Sequence, residues 1–245
     1  MKVSSSPFRA QLRAELQILA RNGEQLLLTL IIPVILLVFF GTTDVLPTGF
    51  DDHMDFLTPG IIALAIMSSS MVSLGIATGF ERSYGVLKRL GTTPLGTKRL
   101  VAAKVVATCC IEIAQLLTLV AVGLILGWNP SSINLPSLLL ALVLGTSCFA
   151  GLGLIMAGRL RAEINLAAQN GLYLVLLLLG GILVPNSELP KSIAWLAEVL
   201  PSSLLSELLR GIFGNDELKI SDLASLAIWA LGACVVAIFS FKWSD

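Results

Sequence analysis

Six stretches of this chain are too apolar and too long to end in water. They cover residues 25–41, 58–80, 100–126, 135–157, 166–184 and 221–241. A helix crosses about 30 Å of hydrocarbon with about 20 apolar residues, and each stretch meets or approaches that length. Inside lipid the backbone must satisfy its own polar groups, so only helices and closed barrels span. Barrel strands alternate apolar and polar residues over about ten positions, whereas these runs are continuous. The expected fold is therefore all-α, a polytopic membrane protein with six transmembrane helices. Composition leaves little room for anything else. Hydrophobic residues make up 56% of the chain and charged residues 13%, where soluble domains carry about a quarter charged. A second, soluble domain is not expected, and residues 1–245 read as one transmembrane domain. Residues 1–24 are polar and helix-like and carry no cleavable signal pattern.

Net charge is zero, yet the basic residues are unevenly placed. Lys2, Arg9, Arg13, Arg21, the cluster Arg82, Lys88, Arg89, Lys98 and Arg99, then Lys104, Arg159, Arg161 and Lys242 fall on one side of the spans. Lys191, Arg210 and Lys219 fall on the other, giving 13 against 3. The positive-inside bias places both termini in the cytoplasm. The opposite loops are acidic, with Asp44, Asp51, Asp52 and Asp55 in the first.

Two apolar segments are not spans. In residues 7–21, Ser6 suits a helix cap and Pro7 the first turn. Phe8, Leu12, Leu16 and Leu19 follow at helical spacing among Arg9, Arg13 and Gln17. Such a basic amphipathic helix belongs in the membrane interface, against membrane lipid. In residues 185–214, two short helices are expected, each with a proline in its first turn (Pro190 and Pro201). Each is too short to cross and too apolar for an exposed loop. Dipping into the outer leaflet or packing over the spans satisfies both constraints.

Between the second and third runs lies "GFERSYGVLKRLGTTPLGTKRL" (79–100). Phe80, Tyr84, Leu87 and Leu90 recur at helical spacing. Glu81 sits near the helix start, where negative charge suits the dipole. Gly91 and Pro94 end the pattern. A cytoplasmic helix of about three turns is expected over 81–95. It is either a topogenic loop that fixes orientation and touches anionic lipid, or a coupling element docked on a cytosolic partner. The periodic apolar face favours coupling.

The segment from Phe80 to Val105 resembles the cytoplasmic segment of type-2 ABC exporter permeases. The shared residues are Glu81, Arg82, Gly85, Leu87, Leu90, Pro94 and Lys104. "LGGILVPNSELPKSIAWLAEVLPSSLLSELLRGI" resembles that family's outer segment in Gly181, Pro185, Pro190, Trp195, Pro201, Glu207 and Arg210. Where many relatives carry "PLTY", this chain reads Pro201-Ser202-Ser203-Leu204. Length, span count and order also match, and the length resembles drug-resistance permeases of the daunorubicin-resistance kind. The resemblance implies the membrane half of an exporter of drug-like or lipid-like amphipathic molecules. Lipid-linked glycan or haem-related cargo is the alternative, and an assembly scaffold the non-transport one. It further implies a second permease copy or relative, and a separate nucleotide-binding ATPase subunit. That subunit would hold ATP and magnesium, and Glu81, Arg82, Tyr84, Gly85, Leu87, Lys88, Leu90 and Pro94 would dock on it. The chain has no GxxxxGK[ST] loop and so no P-loop of its own; no catalytic residue, cofactor or nucleic-acid partner is expected in it.

Carboxylates at membrane depth are costly and functional by default. Glu112 and Gln115 share one face of the third span. They mark either a translocation path or a polar joint between helices. Gln169 and Asn170, with Asn165, make a polar opening to the fifth span, as expected of a path for amphipathic cargo. Glycines and serines of the second and fourth spans suit close helix packing. Cys109, Cys110, Cys148 and Cys234 lie in apolar runs and read as small hydrophobes. His53 among loop acids reads as a solvated acidic loop rather than a metal site, since no ligand spacing is present.

Overall fold

The computed structural model describes residues 6–43, 53–131, 133–183, 185, 191–214 and 219–243. Among them the regular structure is helical throughout. In chain order the helices are α1 (Pro7–Arg21), α2 (Gly23–Thr42), α3 (His53–Met67), α4 (Leu74–Ser83), α5 (Val86–Gly91), α6 (Gly96–Ile125), α7 (Leu135–Ala157), α8 (Ala162–Leu179), α9 (Lys191–Val199), α10 (Pro201–Gly214) and α11 (Ile220–Ser240). Among the described residues, five helical runs are long and apolar enough to cross a membrane: His53–Ser83, Gly96–Ile125, Leu135–Ala157, Ala162–Leu179 and Ile220–Ser240. The first apolar run of the sequence lies in α2, whose shorter stretch Thr29–Thr42 is also apolar.

The run His53–Ser83 is one rod with an irregular middle. Ser68–Ser73 form a π turn between α3 and α4. Such turns carry an extra residue and mark places where a helix must re-aim its side chains. Here the surrounding glycines allow close approach. A Cβ on Gly153 would lie 2.7 Å from the Met71 carbonyl oxygen, and one on Gly151 2.7 Å from the Ala233 backbone. Methyl groups there would push α7 away from the π turn and from α11. Small residues at helix contacts are the usual means of tight packing where lipid supplies no hydrophobic drive between helices.

Prolines inside helices cost a backbone hydrogen bond. Pro33 lies inside α2, and its missing N–H leaves the Thr29 carbonyl without its ordinary donor. Gln115 Nε2 of α6 donates to that carbonyl at 2.9 Å. The repair joins α2 to α6.

The main core gathers residues 61–67 of α3 with α6, α7 and α10, including Met67, Phe149, Leu205 and Leu209. A second, smaller core lies at the basic end and includes Leu87, Leu95, Leu100, Leu154 and Phe241. α10 is almost wholly buried, so the second short outer helix packs into the bundle. α9 presents Trp195 and Val199 to the surroundings. Pro190, Asp44, Asp51 and Asp52 lie outside the described residues.

Candidate functional site

At the basic end, α1, α4 and α6 meet in a buried ion cluster. Ser6 Oγ accepts from the Arg9 N–H at 3.4 Å and Pro7 opens α1, as a capped first turn requires. Glu15 is the one buried residue of α1. Lys104 Nζ of α6 lies 3.1 Å from Glu15 Oε1 and 2.9 Å from Glu81 Oε2. Gln11 Nε2 donates to Glu15 Oε1 at 2.8 Å. One ammonium thus holds α1 and the end of α4 to α6. Buried charges persist only when paired this closely.

The segment after Glu81 departs from the expected single helix. α4 ends at Ser83, and Gly85 takes φ +73° before α5 begins. That left-handed turn suits glycine, which has no Cβ to clash. α5 is six residues long, so the three-turn helix becomes a two-part elbow. Its apolar stripe is also divided. Leu87 is fully buried in the small core, with Leu90 and Trp243 packed beside it. Tyr84 and Val86 point away, 75% and 44% exposed, with Lys88, Arg89 and Pro94 exposed too. Phe80 and Tyr84 stack at 5.9 Å between ring centroids. Arg82 is buried, and its Nη2 donates to the Leu160 carbonyl at 2.8 Å. It binds the elbow to the turn after α7. Of the eight elbow residues singled out, Glu81, Arg82, Leu87 and Leu90 therefore face the chain's own body. A side chain already packed in a core has no surface left for a partner, and the outward set is Tyr84, Val86, Lys88 and Arg89.

A cavity of about 250 Å³ lies behind this cluster, lined from α1, Asn22, α2, the π turn, α4 and α6, with Tyr84 and Val86 of the elbow also on its wall. Glu15, Glu81 and Lys104 form its charged edge.

The polar residues predicted within the spans do not form one group. Glu112 is 1% exposed, and Thr146 Oγ1 of α7 donates to its Oε2. Gln115 accepts from Ser69 Oγ at 3.0 Å while repairing α2. Gln169 Nε2 donates to the Gly153 carbonyl at 2.9 Å, and Asn165 Nδ2 to the Gly75 carbonyl at 2.9 Å. These are joints between helices of one chain, which favours the packing reading for Glu112, Gln115 and Gln169. Asn170 is exposed, its Nδ2 bonded to Leu166 O of its own helix. His53 Nε2 sits 3.0 Å from the Phe40 carbonyl, and no three potential ligands cluster among the described residues.

At the opposite end Arg210 of α10 is the centre. Its Nη2 donates to the Gly181 carbonyl at 2.7 Å, its Nε to Phe56 O at 3.3 Å, and its Nη1 to Glu207 at 2.7 Å. The guanidinium lies 3.7 Å from the Phe56 ring centroid, a cation–π contact. Burial pulls its pKa below the ordinary value, and Glu207 opposes that shift. Gly60 lets this joint close, since a Cβ there would lie 2.5 Å from the Ile182 carbonyl oxygen. Ser202, where relatives' "PLTY" differs, donates to the Leu176 carbonyl at 3.1 Å. Trp195 is exposed, Pro201 buried and Pro185 half-buried. No local pattern marks the Glu15–Lys104–Glu81 cluster, because Lys104 is 23 residues from Glu81 and 89 from Glu15; an acid alone on the apolar side of an amphipathic helix is the one available clue.

Long apolar helices, buried polar joints and a short helix folded into one end of the bundle define a multi-pass helical membrane protein. The chain belongs to the ABC-2 type transporter family, whose model matches residues 7–213. It is 26% identical over 200 residues to the Bacillus subtilis (strain 168) protein named "Putative transport permease YvfS", covering 77% of this chain and 78% of that one. It is 27% identical over 221 residues to the Porphyra purpurea protein named "Putative transport permease ycf38", covering 85% and 74%. The chain is a transport permease, the membrane component of a transporter and not itself the catalyst. An ABC ATPase partner is general to the family.

Proposed function

We propose that this permease is the membrane half of an ATP-driven exporter, with the elbow 81–95 receiving movement from a separate nucleotide-binding subunit. One observation carries the reading. The elbow is bolted to the body through Leu87, Arg82 and Glu81, yet it holds Tyr84 and Val86 outward beside Lys88 and Arg89. A stiff tether transmits displacement, and an exposed aromatic flanked by cations is the composition of an interface anchor. The ATP and magnesium belong to the partner. The elbow and both termini lie in the cytoplasm of a bacterial plasma membrane, following the 13-to-3 distribution of basic residues. The cargo is a drug-like or lipid-like amphipathic molecule, moved outward between this chain and a second permease copy. Exposed Leu174, Val175 and Leu178 of α8, with Asn170 on the same helix, suit that boundary.

The test is co-expression with ABC ATPase subunits from the same genome. The full chain should copurify with one of them and raise its hydrolysis in proteoliposomes. Tyr84→Ser with Val86→Ser should weaken the hold about 30-fold, as loss of roughly 2 kcal/mol at an interface anchor implies. Lys88→Gln with Arg89→Gln should change mainly its salt dependence. Undiminished coupling in the Ser double variant would reduce the elbow to a topogenic loop.

A further inference from the structure

The cavity behind the elbow has walls and an edge of different chemistry. Ile18, Leu19, Leu74, Ala77, Phe80 and Ile111 give it apolar sides. Its volume of about 250 Å³ exceeds the roughly 150 Å³ that hold a benzene and falls just below the range of drug-sized pockets. A fused two-ring group, or the head of a longer amphiphile, fits that space. Its two carboxylates only accept, and the hydroxyls of Ser69 and Thr108 have spent their hydrogens. Ser69 Oγ spends its hydrogen on Ala65 O or Gln115 Oε1, and Thr108 Oγ1 on Lys104 O. Two carboxylates offer about eight lone-pair directions. Lys104 brings three N–H groups to them and Gln11 one, so about half remain open. Lys104 is the one cationic side chain among the lining residues, against Glu15 and Glu81. Its ammonium is already shared between both carboxylates. An anion entering here would meet two carboxylates and a spent ammonium. A cation would meet surplus negative charge in an apolar enclosure, where pairing counts for more than in water.

We propose that this cavity is a binding site for an amphipathic molecule bearing one positive charge, its apolar body against Leu74, Ala77 and Ile111 and its N–H groups on Glu81 and Glu15. The site stands on its own geometry; only its use as a loading site for export rests on the function proposed above. The same chemistry is offered by an aminophospholipid headgroup with its first methylenes and by a small organic amine.

The probe is 2-(1-naphthyl)ethylammonium, with 2-(1-naphthyl)ethanol as its neutral counterpart. Binding is measured by equilibrium dialysis against the purified full chain in phosphatidylcholine nanodiscs, with empty discs subtracted and no ATPase present. One saturable site per chain is expected, at least tenfold tighter for the amine than for the alcohol. Glu81→Gln should erase the amine's preference over the alcohol. Ala77→Phe should fill the cavity and abolish binding of both. A diazirine analogue of the amine should label peptides containing Ala77 or Ile111, which keeps the test decisive if Ala77→Phe misfolds. No saturable excess, equal affinity for amine and alcohol, or labelling elsewhere overturns the proposal. Tenfold competition from phosphatidylethanolamine in the disc identifies the bilayer as the source of the ligand. Its absence identifies a free amine, and either result requires the site. A chain that binds the amine yet recruits no ATPase keeps this site and overturns the exporter reading; an ATPase-coupled chain blind to the amine does the reverse.

Discussion

Pro33 takes one N–H out of α2, and a single amide on another helix answers it. Gln115 donates to the Thr29 carbonyl and accepts from Ser69. Gln115→Leu should therefore cost about 1–3 kcal/mol, because it removes both hydrogen bonds between helices. Pro33→Ala in the same chain should recover much of that loss, since the restored N–H serves the carbonyl. Thermal unfolding in detergent, followed by the monodisperse fraction, reads both; additive losses would show that the two are unconnected. Arg210 serves more partners. Arg210→Met removes the donor to the Gly181 and Phe56 carbonyls and to half-exposed Glu207, and should cost about 1–3 kcal/mol. Arg210→Lys should fall between, since an ammonium cannot span Gly181, Phe56 and Glu207 together. At this scale the sequence told which residues mattered better than what they do. Glu112, Gln115 and Gln169 stand out because polar groups in an apolar run are rare. Their partners lie on other helices, and no local pattern encodes them.

The elbow shows how an element divides its side chains between holding and reaching. Leu87→Ala empties a site in the small core and should cost the fold about 2–5 kcal/mol. Tyr84→Ser alters an exposed position and should stay within about 0.5 kcal/mol of the parent. The same unfolding assay separates them, and an equal loss for both would contradict the observed packing. Gly85→Ala should cost about 1–2 kcal/mol through its left-handed backbone. α1 from 7 to 21 and α7 from 135 to 157 match their expected bounds, because a cap with proline in one and an Asn134-capped apolar run in the other mark the ends in sequence. The elbow's break was not legible. A glycine inside a helical pattern is tolerated as often as it breaks it, and Phe80, Tyr84, Leu87 and Leu90 keep perfect spacing across a turn that is not helical.

Over the whole molecule, orientation is the open quantity that charge decides. Tyr84→Cys and Ile133→Cys place exposed thiols at opposite ends of the long α6. In a chain whose four native cysteines are replaced by Ala, an impermeant maleimide applied outside cells should modify the second and spare the first. The reverse labelling would invert the proposed topology. The helical class and the positions of the apolar runs were readable because the bilayer imposes length and composition. The aim of each helix was not, since aim depends on packing. The π turn makes this concrete. Each residue turns a helix by about 100° and lifts it about 1.5 Å, so the extra residue within Ser68–Ser73 sets which way Glu81 faces. Deleting Ser70 should straighten the rod, swing Glu81 off Lys104 and leave Glu15 as its sole acid partner, while any one residue reinserted between 68 and 73 restores the pairing. In the history of a gene, that is a change of three nucleotides. A single codon gained or lost within 68–73 would thus re-aim the elbow while leaving the elbow's own outward surface unchanged.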